Sequence, residues 1–355
     1  MKEYDMKSKR NYGIDLLRLI LMYMVCILHT LGQGGILNSC QTGTTAYRIY
    51  WLLEIFSYCA VDGFALISGY MVGAKHHKFD KLVDMWFQAV FYSLAITMIL
   101  TLAGVNHSWN VLDMIKCALP VTFVKFWYFT AFFCTFLARP VLNKFLFSVD
   151  EKIARKAFLL MIVLFSFMGL FQDAFKVQAG YSALWLMVLY CIGVLARRTN
   201  IFAQKKTITL IIIWCFCILL TWGLRTFWGI EQLTSYISPT VLVSGLIMVI
   251  IFSRIQMRET VIKKLSPLAF GIYLFQRNQV IWDNCIKDAF SFVAEENVVV
   301  GILYVFLFAS LIFGAGTIVE FVRSRIAVAI KIPVLSRKIV DMVDHILEKT
   351  FMVLK

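Results

Sequence analysis

The chain has 355 residues, 60% of them hydrophobic and only 16% charged, with a formal net charge of +14. Soluble domains sit nearer about 45–50% apolar and ~25% charged, so the composition excludes an ordinary soluble enzyme and marks a multi-pass membrane protein. The positive charge does not signal nucleic-acid binding, because the basic residues fall in short clusters between apolar segments, as the positive-inside bias produces.

Apolar runs of about 20 residues, cut at charge clusters, predict an all-α, polytopic membrane helix bundle of about ten transmembrane helices. The spans fall at 13–33, 49–72, 83–104, 121–142, 157–172, 181–196, 207–225, 239–253, 266–283 and 298–322. Those at 157–172 and 181–196 are short for a bilayer. Of the 35 Lys and Arg residues, 27 lie in the alternate connections and tails that share one side, which puts both termini in the cytoplasm. The basic start at Lys7, Lys9 and Arg10 precedes an apolar run too long for a signal-peptide core, so the first helix is expected to be retained. A membrane domain over 1–322 is followed by a cytoplasmic tail, 323–355. There Ile339, Met342, Val343, Ile346 and Leu347 recur at helical spacing among charges, the pattern of an amphipathic helix on the inner leaflet.

The first span carries Asp15, Arg18 and His29. At 3.6 residues per turn, the step from Arg18 to His29 is about three turns plus 20°, a rise of roughly 16 Å. Asp15 lies about 60° further round, so all three share one face at two depths. Ionisable groups inside a membrane helix are costly unless they face a partner or a wet cavity. Asp15 and Arg18 can pair, and His29 has the chemistry of a general base. A histidine satisfied by a neighbouring helix is the plainer alternative.

In the second span, Asp62 lies near mid-membrane and Gly63, Ser68 and Gly69 permit close helix approach. A buried carboxylate such as Asp62 can orient a histidine. Glu54, nearer the outside, is a weaker candidate of the same kind. The first inner loop carries Lys75, His76, His77, Lys78 and Lys81. It suits lipid headgroups or, alternatively, the phosphates of a cytosolic donor. Lys125-Phe126-Trp127-Tyr128-Phe129 reads first as an interfacial aromatic belt. Gln276-Arg277-Asn278-Gln279 interrupts an apolar span and must face protein or water, which makes Arg277 a candidate counter-ion or anion site. Glu320 reads as a snorkelling residue at the inner end of the last span. Of nine cysteines, Cys26, Cys59, Cys134, Cys191, Cys215 and Cys217 read as core residues. Cys40, Cys117 and Cys285 fall in outer loops, where unpaired thiols are preferred to a disulfide. With no Cys/His ligand spacing, no metal site is expected.

With these residues in view, the sequence resembles the integral-membrane acyltransferase 3 family. The match consists of Gly13-Ile14-Asp15-Leu16-Leu17-Arg18 with His29, Asp62 through Ile67-Ser68-Gly69-Tyr70, Phe126-Trp127-Tyr128 with Arg139-Pro140, and Phe270-Gly271-Ile272-Tyr273-Leu274-Phe275. The resemblance implies transfer of an acyl group, usually acetyl from acetyl-CoA, to a hydroxyl of an extracytoplasmic carbohydrate. His29 would be the essential histidine and Arg18 its paired arginine. Many relatives carry histidine where this chain has Gln276 and Lys125, and arginines in the first inner loop where it has lysines. His29 is then the only intramembrane histidine.

The expectation is a membrane O-acyltransferase, multi-pass in a bacterial cell membrane. Its catalytic residues would be His29, Asp15 and Asp62. Arg18, Lys75, Lys78 and Arg277 would hold the donor, and Ser68, Trp127, Tyr128 and Gln276 the acceptor. No cofactor is expected to be permanently bound, with acetyl-CoA serving as donor substrate. The expected partners are membrane lipids, acyl-CoA and a carbohydrate acceptor, with no nucleic acid; a homo-oligomer is compatible with the sequence. The alternative is a transporter or flippase of a glycan or lipid precursor, using the intramembrane charges as a relay. A scaffold for glycan assembly is a third class.

Overall fold

The computed structural model describes residues 10–72, 79–105, 110–202, 204–258 and 261–353. These are all-helical, with no strand among them. Helix α1 (Tyr12–Leu28) continues through a π-helical turn, His29–Gln33. It begins where the Asn11 side chain accepts from the Ile14 amide at 3.1 Å, satisfying one of the free amides of the first turn. Helix α2 (Thr45–Tyr70) has Thr44 in the same capping role. Helix α3 (Phe79–Val90) runs on through a π-helical stretch, Phe91–Ile96, to Leu102. A short helix, α4 (Val111–Ala118), precedes α5 (Trp127–Ser148). Helix α6 (Glu151–Met161) also passes into a π-helical stretch, Ile162–Phe167. Then come α7 (Ala183–Arg198), α8 (Thr207–Trp228) and α9 (Pro239–Arg254). Helix α10 (Ala269–Gln276) stands in a broken segment that ends in a fourth π-helical turn, Trp282–Ile286. Helix α11 (Val298–Ala329) is the longest, and α12 (Ile332–Val353) closes the chain.

Six segments are long and apolar enough to cross a membrane: Tyr12–Ser39, Thr45–Tyr70, Phe79–Leu102, Glu151–Leu170, Thr207–Trp228 and Val298–Ala329. The other four expected spans also coincide with helix, but differ in kind. Helix α5 carries Arg139 and Lys144, α7 and α9 have only 16 residues each, and 266–283 is interrupted. The last apolar helix runs to Ala329, past the boundary expected at 322.

Helix α2 sits at the centre, packed against α1, α7, α8 and α9. Its small residues explain how. A Cβ on Gly69 would collide with the Tyr190 carbonyl oxygen, and one on Gly193 with that of Leu66, so α2 and α7 cross with backbones in direct contact. Gly63 similarly receives the Leu21 side chain of α1. Gly69→Ala is therefore expected to destabilise the bundle by about 1–3 kcal/mol, the usual cost of overpacking, read as a lower melting temperature in detergent. On the opposite side, α11 turns Leu303, Leu311 and Ile318 outward, as a lipid-facing helix does.

Glu320 does not snorkel. It is buried in α11, takes two hydrogen bonds from Arg323 at 2.7 and 2.8 Å and one from the Tyr92 hydroxyl at 3.0 Å, and lies where a Cβ on Gly271 would be. The glycine of the Phe-Gly-Ile-Tyr segment thus makes room for a structural ion pair. Helix α12 packs against α3, with the Ser336 hydroxyl donating to Asp84 at 2.5 Å. Met342, Val343, Ile346 and Leu347 remain exposed on one face.

Candidate active site

A cavity of about 930 Å³ runs along α1 and touches Arg18, Met22, Val25, His29 and Gln33 in succession. Over that length the helix rises by roughly 22 Å, so the cavity joins two levels of the bundle. At the Arg18 end it is walled by Ser68 of α2 with Met71 and Val72 just beyond it, Lys81 and Met85 of α3, and Arg139 of α5. At the His29 end stand Glu54, Tyr58, Trp127, Tyr181, Tyr236, Arg277 and Trp282.

The Arg18 end is cationic. Arg18 is fixed by Asp15, whose Oδ1 accepts from its guanidinium at 2.7 Å. Asp15 also accepts from Arg10 Nε at 2.5 Å and from the Ser266 hydroxyl at 3.2 Å. It stands behind the wall and offers the cavity no carboxylate. Arg139 lies among the rings of Phe132, Phe136 and Tyr190, with its guanidinium carbon 4.4–5.2 Å from their centroids. Its Nε has no hydrogen-bond partner among the described residues.

The His29 end is built from two π-helical turns that meet, His29–Gln33 and Trp282–Ile286. The extra residue in such a turn re-aims the side chains that follow, which is why such turns recur at functional sites. His29 Nδ1 lies 2.9 Å from Gln276 Oε1. With the amide oxygen as its partner, Nδ1 carries the hydrogen and Nε2 keeps the lone pair. The Trp282 ring meets the imidazole edge-on at 5.2 Å and takes the Arg277 guanidinium over its face at 3.9 Å. Beyond them Trp127, Tyr181 and Tyr236 pack together, with Trp127–Tyr181 centroids 4.7 Å apart and Tyr58 5.6 Å from Tyr236.

His29, Arg18, Ser68, Trp127, Tyr128 and Arg277 all line one space. Ser68 is not beside His29, however. Gly63 meets Leu21, and Ser68 lies about 7.5 Å further toward the Arg18 end. Arg277, expected on the donor with Arg18, stands at the His29 end instead. Trp127 and Tyr128 are drawn into the bundle rather than forming a lipid-facing belt. The Tyr128 amide donates to the Tyr273 hydroxyl at 3.2 Å, and its own hydroxyl donates to the Val61 carbonyl at 3.3 Å. Asp62 is buried and accepts from Trp185 Nε1 at 3.1 Å, so the group that touches His29 is Gln276. Lys75 and Lys78 lie outside the described residues. The sequence reading missed Tyr58, Tyr181, Tyr236, Trp282 and the inward role of Arg139. Tyr181 and Tyr236 shortly precede Ser182 and Ser238, the N-cap residues of α7 and α9, a signal for where the helices start and not for the aromatics beside them.

Fold and cavity together define a multi-pass membrane protein with a polar, aromatic-lined chamber inside its helix bundle. The family model described as an acyltransferase domain, acyltransferase 3, matches residues 11–320, and the chain belongs to that family of membrane acyltransferases. Neither the curated proteins nor the solved structures include a match to the chain.

Proposed function

We propose that the chain is an O-acyltransferase that moves an acetyl-type group from cytosolic acyl-CoA to a hydroxyl of an extracytoplasmic glycan or glycolipid in a bacterial plasma membrane. In this reading ten helical segments span the bilayer, both termini are cytoplasmic, and the Arg18 end of the cavity opens to the cytosol. The observation that carries it is the single cavity reaching both Arg18 and His29, since donor and acceptor approach from opposite faces and must meet inside the protein.

Arg18, Lys81 and Arg139 attract the donor phosphates, with no carboxylate on that part of the wall to repel them. The pantetheine arm then runs along α1 and brings the thioester to His29. Nε2 takes the proton of the acceptor hydroxyl as its oxygen attacks the thioester carbonyl. The C–S bond breaks, the CoA thiolate leaves and takes that proton back from Nε2, and the ester remains on the acceptor with His29 neutral again. Gln276 holds the imidazole in the tautomer that this step needs. Asp15 acts through Arg18, and Asp62 through Trp185 buried behind the wall.

Purified protein should gain thermal stability with acetyl-CoA, because a ligand of the folded state stabilises it by about 2.7 kcal/mol at 100 times its Kd. Arg18→Ala should reduce that gain, while His29→Ala should retain it and lose transfer. No stabilisation of the wild type, together with normal surface acetylation by both variants in cells, would sink the proposal and favour transport of a precursor.

A further inference from the structure

We propose that Glu54 is the acceptor-binding carboxylate of the His29 end, accepting hydrogen bonds from the hydroxyl groups of a carbohydrate ring held among Tyr58, Trp127, Tyr181 and Tyr236. The proposal rests on the acyl-transfer reading above and assigns a residue to its acceptor side.

Glu54 lies in α2 with 6% of its surface exposed, and it lines the cavity. Its Oε2 has no hydrogen-bond partner among the described residues. A buried carboxylate oxygen without a donor carries an uncompensated desolvation cost, and such an atom calls for an explanation. Asp62 also has an unpartnered oxygen, Oδ2, but it does not line the cavity, and two other buried acids are satisfied by side chains. Asp15 takes hydrogen bonds from two arginines and a serine, and Glu320 from an arginine and a tyrosine. Glu54 instead faces a chamber wide enough for a ligand.

Its placement relative to the chemistry is also specific. A Cβ on Gly32 would come within 3.2 Å of Glu54 Oε1, so the carboxylate rests on the same π-helical turn that begins with His29. A hydroxyl held by Glu54 is therefore presented beside the imidazole. The surrounding rings supply apolar faces for the C–H side of a sugar, while the carboxylate takes its O–H groups. This division suits a polyhydroxylated ring and not a plain lipid tail, which has nothing to donate to Oε2.

The test uses the full-length protein in detergent, with methyl glycosides of glucose, galactose, rhamnose and N-acetylglucosamine as probes. Their binding is followed by the fluorescence of Trp127 and Trp282, and acetyl-CoA is measured in parallel by thermal shift. Wild type should bind at least one glycoside. Glu54→Gln, which keeps shape but loses the charge and replaces one of the two accepting oxygens by a donor, should weaken that binding at least tenfold and raise the acceptor KM by a similar factor. Glu54→Asp should recover part of the loss. Both variants should retain the acetyl-CoA shift, which shows them folded. Unchanged glycoside affinity in Glu54→Gln, or no glycoside response in wild type, overturns the proposal. Glycoside binding that depends on Glu54, without any acetyl-CoA shift in wild type, supports the site and overturns acyl transfer.

Discussion

His29→Ala is expected to lower acyl transfer by about 10²–10⁴-fold, the usual contribution of a positioned general base, with donor binding intact. Among the described residues no other histidine lines the cavity, so no second imidazole stands ready to take over the proton transfer. The contribution of Gln276 can be separated from that of His29. Gln276→Leu preserves bulk but removes the oxygen 2.9 Å from Nδ1. It should cost about 10–100-fold in kcat, corresponding to the loss of one hydrogen bond that orients the ring. Gln276→Glu restores an acceptor for the Nδ1 hydrogen and should recover much of that loss. Equal, complete inactivation by the leucine and glutamate variants would show that Gln276 acts in some way other than through the imidazole tautomer. Steady-state kinetics with acetyl-CoA and an accepted glycan distinguish these outcomes.

The second large effect is on stability. Asp15→Ala removes the carboxylate shared by Arg10, Arg18 and Ser266 and leaves two guanidinium groups without their partner. Removing one member of a buried ion pair costs about 3–5 kcal/mol. The arginines are partly exposed, so about 3 kcal/mol is expected, visible as a fall in melting temperature. Asp15→Asn retains an acceptor for Ser266 and should lose less. If Asp15→Ala melts like wild type but no longer transfers the acyl group, Asp15 takes part in the chemistry directly.

Helix positions were the most legible part of the sequence. Long apolar runs have no other way to satisfy their backbone groups in lipid, and each expected span overlaps helix, six of them in segments long and apolar enough to cross a membrane. Breaks within them were not legible. Nothing local in Phe91–Ile96 or Trp282–Ile286 announces a π-helical turn, which arises from packing between segments distant in sequence. The stripe of Arg18 and His29 could be read because one helix carries both, and its period fixes their relation. The partner of His29 could not. Asp62 and Gln276 are both polar residues in apolar runs, and only tertiary packing decides that the amide reaches the imidazole while the carboxylate reaches Trp185. The aromatic chamber was hidden for the same reason, since Tyr58, Trp127, Tyr181, Tyr236 and Trp282 come from five separate segments. Its one acidic member, Glu54, was visible as an intramembrane charge, although its orphaned oxygen was not.

The backbone-close packing of α2 has a mechanical consequence. Gly69 and Gly193 lock α2 to α7, and Gly63 is filled by Leu21, so the long wall of the cavity cannot slide without steric collision. Its helix segment is 67% buried within the protein, whereas Phe79–Leu102 on the facing side is 28% buried. Resistance to deformation follows local packing. The cavity therefore has one stiff side and one compliant side, and widening to admit a bulky molecule is cheapest at α3. Helix α12 is strapped to α3 through Ser336 and Asp84, so the carboxy-terminal helix moves with the compliant side.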